Sequence, residues 1–201
     1  MIVAVIPVKR LSEAKSRLSP RLSPKERATL VGTILRRTVE VLKEVGAIDR
    51  IAVATEERKL VDSLSSVEWL PDMGGLNPTL VHAASWAADL KARSMLVLPC
   101  DLPLLEWRDI RALLDSSHAE PGVSIAPTQD GGTGAILLSP PEVMAPAFGP
   151  DSFMRHIENA RARDLPVRTV IRRGFSHDLD TADDLECLEE AHTPNIRCLT
   201  T

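Results

Sequence analysis

Aromatic residues are scarce in this chain, and their scarcity argues against one class of protein. Phe, Trp and Tyr together make up 3% of the 201 residues, and Tyr is absent. Proteins that bind single-stranded nucleic acid stack its bases on aromatic side chains, so no such platform is expected here. The net charge of −4 also argues against general nucleic-acid binding, although it leaves room for a local basic pocket that binds a small anion.

Cysteines and long apolar runs are few as well. Cys100, Cys187 and Cys198 are odd in number and lie far apart, which disfavours both a disulfide framework and a zinc site. No apolar run approaches the about 20 residues that a membrane span needs, and the N-terminus enters a strand without a signal-peptide pattern. We therefore expect a cytoplasmic protein with no membrane partner.

Common nucleotide-binding and catalytic patterns are also missing. The chain contains no G-x-x-x-x-G-K-[ST], no G-x-G-x-x-G and no G-x-S-x-G. The first two absences argue against a P-loop NTPase and a dinucleotide-dependent dehydrogenase, and the third against a serine nucleophile on a strand-to-helix elbow.

What the chain does contain is an alternation of apolar, β-branched runs with amphipathic helical patterns. This alternation predicts one α/β domain over residues 1–201 with a mainly parallel sheet, followed from about residue 192 by a loose tail. A turn, not a helix, separates the strands expected at 122–127 and 135–139, so one of them is expected to run antiparallel and make the sheet mixed. The other expected strands are 2–6, 49–55, 67–70, 95–99 and 165–172, and the expected helices are 24–45, 56–64, 78–93, 106–115, 152–162 and 182–191.

Two helix starts carry capping signals. Ser23 is a good N-cap, since Pro24 takes the first helical position and Glu26 stands three residues after the cap. Asn77 is expected to cap the helix that Pro78 opens.

A basic loop follows the first strand. Lys9, Arg10, Lys15 and Arg17 lie within nine residues of one another, at the carboxyl end of a buried strand. Open α/β sheets bind their ligands at this edge, and ammonium and guanidinium groups suit the oxygens of a polyphosphate. The alternative is an ordinary solvated loop.

Acidic residues follow two later strands. Asp101 comes directly after the apolar run 95–99, where a carboxylate is well placed to hold Mg²⁺ together with phosphate oxygens. Asp178 and Asp180 offer a second acid before the last helix. Each of the three could instead cap a helix or turn, and the residue types alone do not decide between capping and metal binding.

Two further stretches could bind an anion. The turn 131–134 surrounds Thr133 with glycines, which is a weak signal for a phosphate cradle. Gly149 and Ser152 lie where a helix begins, and the free backbone N–H groups there could also bind an anion, although Ser152 could be a plain N-cap. His156 lies one turn after Ser152 and could face the same site, but such a histidine is more often structural.

Six stretches together resemble the 2-phospho-L-lactate guanylyltransferase family of coenzyme F-420 biosynthesis. They are IPVKRLSEAKSRLSP, GGLNPTL, LPCDLPLL, GGTGAILL, FGPDSFMRH and HDLDTADDL, in order from Ile6 to about Leu188. The resemblance implies an enzyme with a Rossmann-like nucleotidyltransferase fold. It would join GMP from GTP to the phosphate of a three-carbon phosphoacid and release pyrophosphate, with 2-phospho-L-lactate as the expected acceptor and phosphoenolpyruvate or 3-phosphoglycerate as alternatives.

The resemblance also implies roles for individual residues. The nucleotide phosphates would be held by Lys9, Lys15 and Arg17, and the guanine side by Asn77. The phosphoacid would be held by Thr133, Gly149 and Ser152. Mg²⁺ would be held by Asp101, Asp178 and Asp180, and Lys15 and Asp101 would be catalytic. In one departure from many relatives, Pro99 and Cys100 stand just before the DLP segment, where a relative can carry a further acid. Any metal role there is therefore absent.

Two alternatives stay open at this point. One is a nucleotidyltransferase with another acceptor, such as a molybdopterin or a sugar phosphate, although the N-terminal loop lacks the L-A-G-G-x-S-x-R-M-G pattern. The other is a nucleotide-binding module without turnover. The choice of guanine rests on the resemblance alone, and exposed helix faces could support a homodimer.

Overall fold

Seven strands form one mixed sheet in the computed structural model, which describes residues 1–11, 15–116, 121–179, 184 and 186. The strand order is β3-β2-β1-β4-β6-β5-β7, and β6 runs antiparallel to both of its neighbours while every other pairing is parallel. The predicted α/β domain with a mainly parallel, mixed sheet is therefore confirmed. The strands are β1 Ile2–Pro7, β2 Arg50–Ala54, β3 Glu68–Leu70, β4 Ser94–Val97, β5 Gly122–Pro127, β6 Thr133–Ser139 and β7 Val167–Thr169.

In the described part of the chain, five helices lie between strands and a sixth follows β7. They are α1 Pro24–Val45, α2 Arg58–Asp62, α3 Leu76–Asp89, α4 Trp107–Asp115, α5 Ser152–Arg161 and α6 Arg173–Ser176, and one 3-10 turn occupies Ser16–Leu18. None of the helices in the described ranges has both the length and the apolar character needed to cross a bilayer.

The central strand β1 is buried on both faces. Ala4 and Ile6 pack into the apolar cluster under α1 and α4, whereas Val3 and Val5 pack into the cluster under α3 and α5. Because side chains alternate between the two faces of a strand, an uninterrupted apolar run suits a parallel strand that is covered on both sides. The core therefore consists of two layers, one on each side of the sheet.

Helix α1 begins and ends as its sequence predicts. The Ser23 hydroxyl accepts the backbone N–H of Glu26, and the Glu26 carboxylate accepts the N–H of Ser23 in return. Gly46 ends the helix with φ of 70°, a left-handed conformation that glycine adopts at little cost.

The predicted cap of α3 is wrong. Gly75 is the N-cap and Asn77 lies inside the first turn. The reason lies just upstream, where the Asp72 carboxylate accepts the N–H groups of Gly74 and Gly75 at 2.8 and 3.0 Å and the Thr79 hydroxyl at 3.1 Å. Asp72 thus organises the start of the helix, and the side chain of Asn77 is left for another contact.

Other predicted bounds differ by a few residues, and helix α6 has no counterpart in the prediction. β7 ends at Thr169, not at residue 172, and α6 follows at Arg173–Ser176. Of the last predicted helix, 182–191, only residues 184 and 186 are described, and both are helical. Asp180 and the predicted tail from residue 192 lie outside the described residues.

Helix α6 packs closely against the start of α4. Asp109 accepts the N–H of Glu106 at 3.0 Å and the Arg172 Nε–H at 3.0 Å. A Cβ atom on Gly174 would overlap the Asp109 carboxylate. Only glycine fits at this contact, because the buried carboxylate is held from two sides.

Two glycine substitutions are expected to have opposite effects on stability. Gly174→Ala should lower the free energy of unfolding by about 1–3 kcal/mol, because the new methyl group overlaps Asp109. Gly32→Ala, inside α1 with its nearest neighbour Leu60 Cδ1 at 3.8 Å, should raise it by about 0.5–1 kcal/mol through helix propensity. Urea unfolding measures both values. A Gly174→Ala protein as stable as the parent would contradict the packing of α6 on α4.

Candidate active site

A cavity of about 830 Å³ opens at the carboxyl ends of the parallel strands. The loops after β1, β3, β4 and β5 line it, and so does the amino end of β6, which reaches the same edge because β6 is antiparallel. Eight of the ten predicted site residues lie in its wall. They are Lys9, Lys15, Arg17, Asp101, Thr133, Gly149, Ser152 and Asp178.

Lys15 is the most constrained residue of the basic loop. Its Nζ lies 3.2 Å from Asp101 Oδ2, and its side chain is only 8% exposed. The backbone of Lys15 is left-handed, with φ of 52°, and its carbonyl accepts the N–H of Leu18 at 2.9 Å. Because Leu18 is fully buried, the short 3-10 turn anchors the loop in the core and holds the Lys15 ammonium in the cavity.

The two described acids of the site are tied together through the backbone. Leu179, which is fully buried, donates its N–H to the carbonyl of Asp101 at 2.9 Å, and Asp178 beside it lines the cavity. No group of three or more His, Cys, Asp and Glu residues that could hold a metal occurs in the described ranges. Asp101 and Asp178 are a smaller set, and two carboxylates can suffice for Mg²⁺ when phosphate oxygens complete its shell.

Cys100 lies between β4 and these acids, but its thiol is unreactive. Its Sγ lies 3.9 Å from the carbonyl of Val31. Burial raises the pKa of the thiol, and the neighbouring Asp101 charge raises it further. A thiol that stays protonated is neither a nucleophile nor a metal ligand.

A second part of the cavity wall, the neutral wall, consists of Thr133 and Ser152. The Ser152 hydroxyl donates to Thr133 Oγ1 at 3.0 Å, and Thr133 Oγ1 lies 3.0 Å from His156 Nδ1. The N–H of Ala147 donates to His156 Nε2 at 2.8 Å. Burial, with a smaller effect of the Arg155 charge, lowers the pKa of His156 to about 4. The i, i+4 spacing from Ser152 indicated this placement of His156, but not its contact with Thr133.

Two of the backbone N–H groups at the start of α5 are already used within the protein. The N–H of Ser152 donates to the Gly149 carbonyl at 3.1 Å, and that of Phe153 donates to the Gly131 carbonyl at 3.2 Å. The N-cap is Asp151, in a left-handed conformation, and not Ser152. This turn therefore presents the cavity with a hydroxyl and the glycine Gly149, whose φ of 123° disfavours other residues.

The glycines around Thr133 are required by packing within the protein. A Cβ atom on Gly132 would come within 2.6 Å of Thr128 Oγ1, and one on Gly134 would overlap the carbonyl of Phe175. Their presence therefore needs no phosphate to explain it, although both residues line the cavity.

Asn77 does not line the cavity. Its Nδ2 donates to the carbonyl of Phe148 at 3.1 Å, and its Oδ1 accepts the Phe148 N–H at 2.8 Å. The amide thus braces the loop that carries Gly149. Its predicted contact with guanine stays a prediction, and this geometry gives the side chain a structural task.

Asp72 is a cavity residue that the sequence reasoning missed. Burial alone would raise the pKa of its carboxyl group, but hydrogen bonds from Gly75, Gly74 and Thr79, with the charge of Arg10, lower the pKa overall. An Asp two residues before a Gly-Gly pair is typical of a turn in which the side chain accepts backbone N–H groups, and this signal could have identified it.

A solved structure from Methanothermobacter thermautotrophicus, described as a nucleotidyl transferase, has the same fold. The two chains superpose with a TM-score of 0.68 at 15% identity, over 98% of this chain and 99% of the other. At this level of identity the likeness concerns the fold alone.

Sequence comparison is more specific. This chain is 37% identical to the phosphoenolpyruvate guanylyltransferase of Sphaerobacter thermophilus, over 96% of this chain and 94% of the relative. It is 36% identical to the 2-phospho-L-lactate guanylyltransferase of Methanothermobacter thermautotrophicus, over 90% and 81%. The family model described as "Guanylyl transferase CofC like" matches residues 2–191. The chain therefore belongs to the CofC-like guanylyl transferase family.

Proposed function

We propose that this protein joins GMP from GTP to the phosphate of a three-carbon phosphoacid and releases pyrophosphate, in the synthesis of coenzyme F-420. The observation that carries the proposal is the composition of one cavity, which brings basic residues, acids and the buried hydroxyls of Thr133 and Ser152 together. Relatives are named for two three-carbon acceptors at nearly equal identity, so identity does not choose between them.

The basic wall would bind the nucleotide. Lys9, Lys15 and Arg17 line the cavity and would neutralise the triphosphate and then the departing pyrophosphate. Lys15 is the strongest candidate, since its nearly buried ammonium is already fixed against a carboxylate. A charged side chain that is already held in position need not move during the reaction.

A divalent metal fits the acids of this wall. Asp101 Oδ2 already attracts a cation, the Lys15 ammonium at 3.2 Å, and Asp178 adds a second hard oxygen donor to the same cavity. We propose that these two residues hold Mg²⁺, with Asp180 as a further candidate outside the described residues. When bound, the metal would neutralise charge on the phosphates of GTP.

The reaction needs no nucleophile from the protein. An oxygen of the acceptor phosphate would form a bond to the α-phosphorus of GTP, while the bond from that phosphorus to the bridging oxygen breaks and pyrophosphate leaves with the electron pair. A phosphate monoester with a second pKa of about 6 is largely dianionic at neutral pH, so no general base is required. The residues of this chain would align the two substrates and offset their charge.

The neutral wall would bind the phosphoacid. Thr133, Gly149 and Ser152 line the cavity, and two of them carry hydroxyls that are hydrogen-bonded to each other. A cytoplasmic location and a homodimer stay predictions from the sequence.

Pyrophosphate release tests the proposed reaction directly. Purified protein with GTP and Mg²⁺ should release pyrophosphate when phosphoenolpyruvate, 2-phospho-L-lactate or 3-phosphoglycerate is added, and should release much less with ATP. Because the products could be unstable or held on the enzyme, a coupled assay with the next enzyme of the pathway should run alongside. No release with any of the three acceptors in either format would contradict the proposal and favour another acceptor.

Asp101→Asn should lower turnover by about 100-fold or more, because it removes the charge that would hold Mg²⁺ and leaves the Lys15 ammonium without its carboxylate. Asp115→Asn is the matched control, since Asp115 is exposed and pairs with Arg111 on the surface of α4. Steady-state rates at several Mg²⁺ concentrations are the measurement, with melting temperatures to confirm folding. Near-normal turnover of a folded Asp101→Asn protein would rule out the metal assignment.

A further inference from the structure

Four groups form a buried hydrogen-bond chain behind the neutral wall of the cavity. It runs from the Ala147 N–H to His156 Nε2, and from His156 Nδ1 to Thr133 Oγ1, which also receives the hydroxyl of Ser152. His156, Ser152 and Thr133 are 0%, 2% and 5% exposed. Because water does not reach these atoms freely, each hydrogen bond of this buried network has a defined donor and acceptor.

The backbone of Ala147 fixes the tautomer of His156. A backbone N–H can only donate, so Nε2 must offer its lone pair to the contact of 2.8 Å. In a neutral imidazole the remaining hydrogen is then on Nδ1. His156 therefore donates to Thr133 Oγ1, and a protonated ring is excluded because its second hydrogen would meet the Ala147 N–H. The lowered pKa of His156 agrees with this neutral state.

The donors around Thr133 Oγ1 then determine where its own hydrogen points. A hydroxyl oxygen has two lone pairs and one hydrogen, and the two lone pairs are filled by His156 Nδ1–H and Ser152 Oγ–H. Among the residues that the structure describes, the Thr133 hydroxyl meets no acceptor for this hydrogen. Since Thr133 lines the cavity, this hydrogen is available to a ligand that binds there.

We propose that His156 is a positioning residue, which holds the Thr133 hydroxyl as an obligate donor aimed at an anionic oxygen of the phosphoacid. The inference rests on the proposed function and adds to it that His156 makes the Thr133 hydroxyl a hydrogen-bond donor in the acceptor site. A hydroxyl with both lone pairs filled cannot accept, so the site favours a carboxylate or phosphate oxygen and disfavours an N–H or O–H at the same point.

Two substitutions separate this role from a purely structural one. In His156→Asn the amide nitrogen takes the place of Nδ1 and can still donate to Thr133, while the Ala147 contact is lost. In His156→Gln the amide oxygen takes the place of Nε2 and still accepts from Ala147, while the donor to Thr133 is lost. If His156 only supports the Ala147 backbone, His156→Gln should be tolerated better than His156→Asn. If His156 positions the Thr133 hydroxyl, His156→Asn should bind the phosphoacid better than His156→Gln.

We expect His156→Gln to raise the KM for the phosphoacid roughly tenfold, the loss of about one hydrogen bond, with the KM for GTP unchanged. His156→Asn should stay within about threefold of the parent for both substrates. Equal acceptor KM values for the parent and His156→Gln, or a parallel change in the KM for GTP, would overturn the inference while leaving the proposed function intact. If the parent itself releases no pyrophosphate, the proposed function fails separately.

Two measurements do not depend on turnover. ¹⁵N NMR of the imidazole rings in the parent protein at pH 7 should show His156 with its hydrogen on Nδ1, the signal being assigned by its loss in His156→Gln. A hydrogen on Nε2, or a charged ring, would overturn the inference. Calorimetric titration with each of the three phosphoacids should show binding of at least one to the parent and weaker binding of that acid to His156→Gln. Equal binding of that acid to both proteins, or no binding of any of the three to the parent, would equally overturn the inference.

Discussion

β1 pairs in parallel with β4, and this pairing brings Lys15 and Asp101 together although 86 positions separate them. Both strands are buried on two faces and end at the same edge, so the loops that follow them must share one space. Leu18 then anchors the basic loop in the core, and Leu179 anchors the second acid against the carbonyl of Asp101. The charged wall of the cavity thus depends on apolar burial. Lys15 is fixed because Leu18 is buried nearby, and its ammonium meets the Asp101 carboxylate at 3.2 Å.

The other wall depends on the reversal of β6. Since β6 runs antiparallel between β4 and β5, its first residue and not its last lies at the ligand edge, and that residue is Thr133. Its neighbour Gly134 is in turn required by the carbonyl of Phe175 in α6. A strand that began one residue later would place Gly134 where Thr133 now meets Ser152 and His156. The register of one strand therefore decides whether the cavity has a hydroxyl wall.

The sequence predicted the features that arise from local pattern. The alternation of elements, the capping box of Ser23 and Glu26 and the final Gly46 all depend on neighbouring residues, and all agree with the structure. Contacts between distant segments were harder to foresee. Asn77 has the form of an N-cap, but the Asp72 carboxylate organises that turn and Phe148, 71 positions away, takes up the amide. His156 had the right spacing from Ser152, yet its tautomer follows from the Ala147 N–H, which no sequence pattern reports. The four residues of α6 are too few for a periodic signal.

The division of the cavity into a charged and a neutral wall bears on how relatives named for different acceptors can share one scaffold. The phosphates of GTP are the same whichever acid is used, so the Lys15–Asp101 wall has no reason to differ with the acceptor. Three-carbon phosphoacids differ from one another by a hydroxyl, a double bond or the position of the phosphate. An apolar pocket separates such neighbours weakly, whereas a site built from oriented hydrogen-bond donors rejects a ligand that leaves them unpaired by far larger factors. Under the proposed function, the choice of acceptor would therefore fall to Thr133, Ser152 and the groups that orient them. On this proposal, small changes in that buried network would redirect specificity without disturbing the Lys15–Asp101 pair.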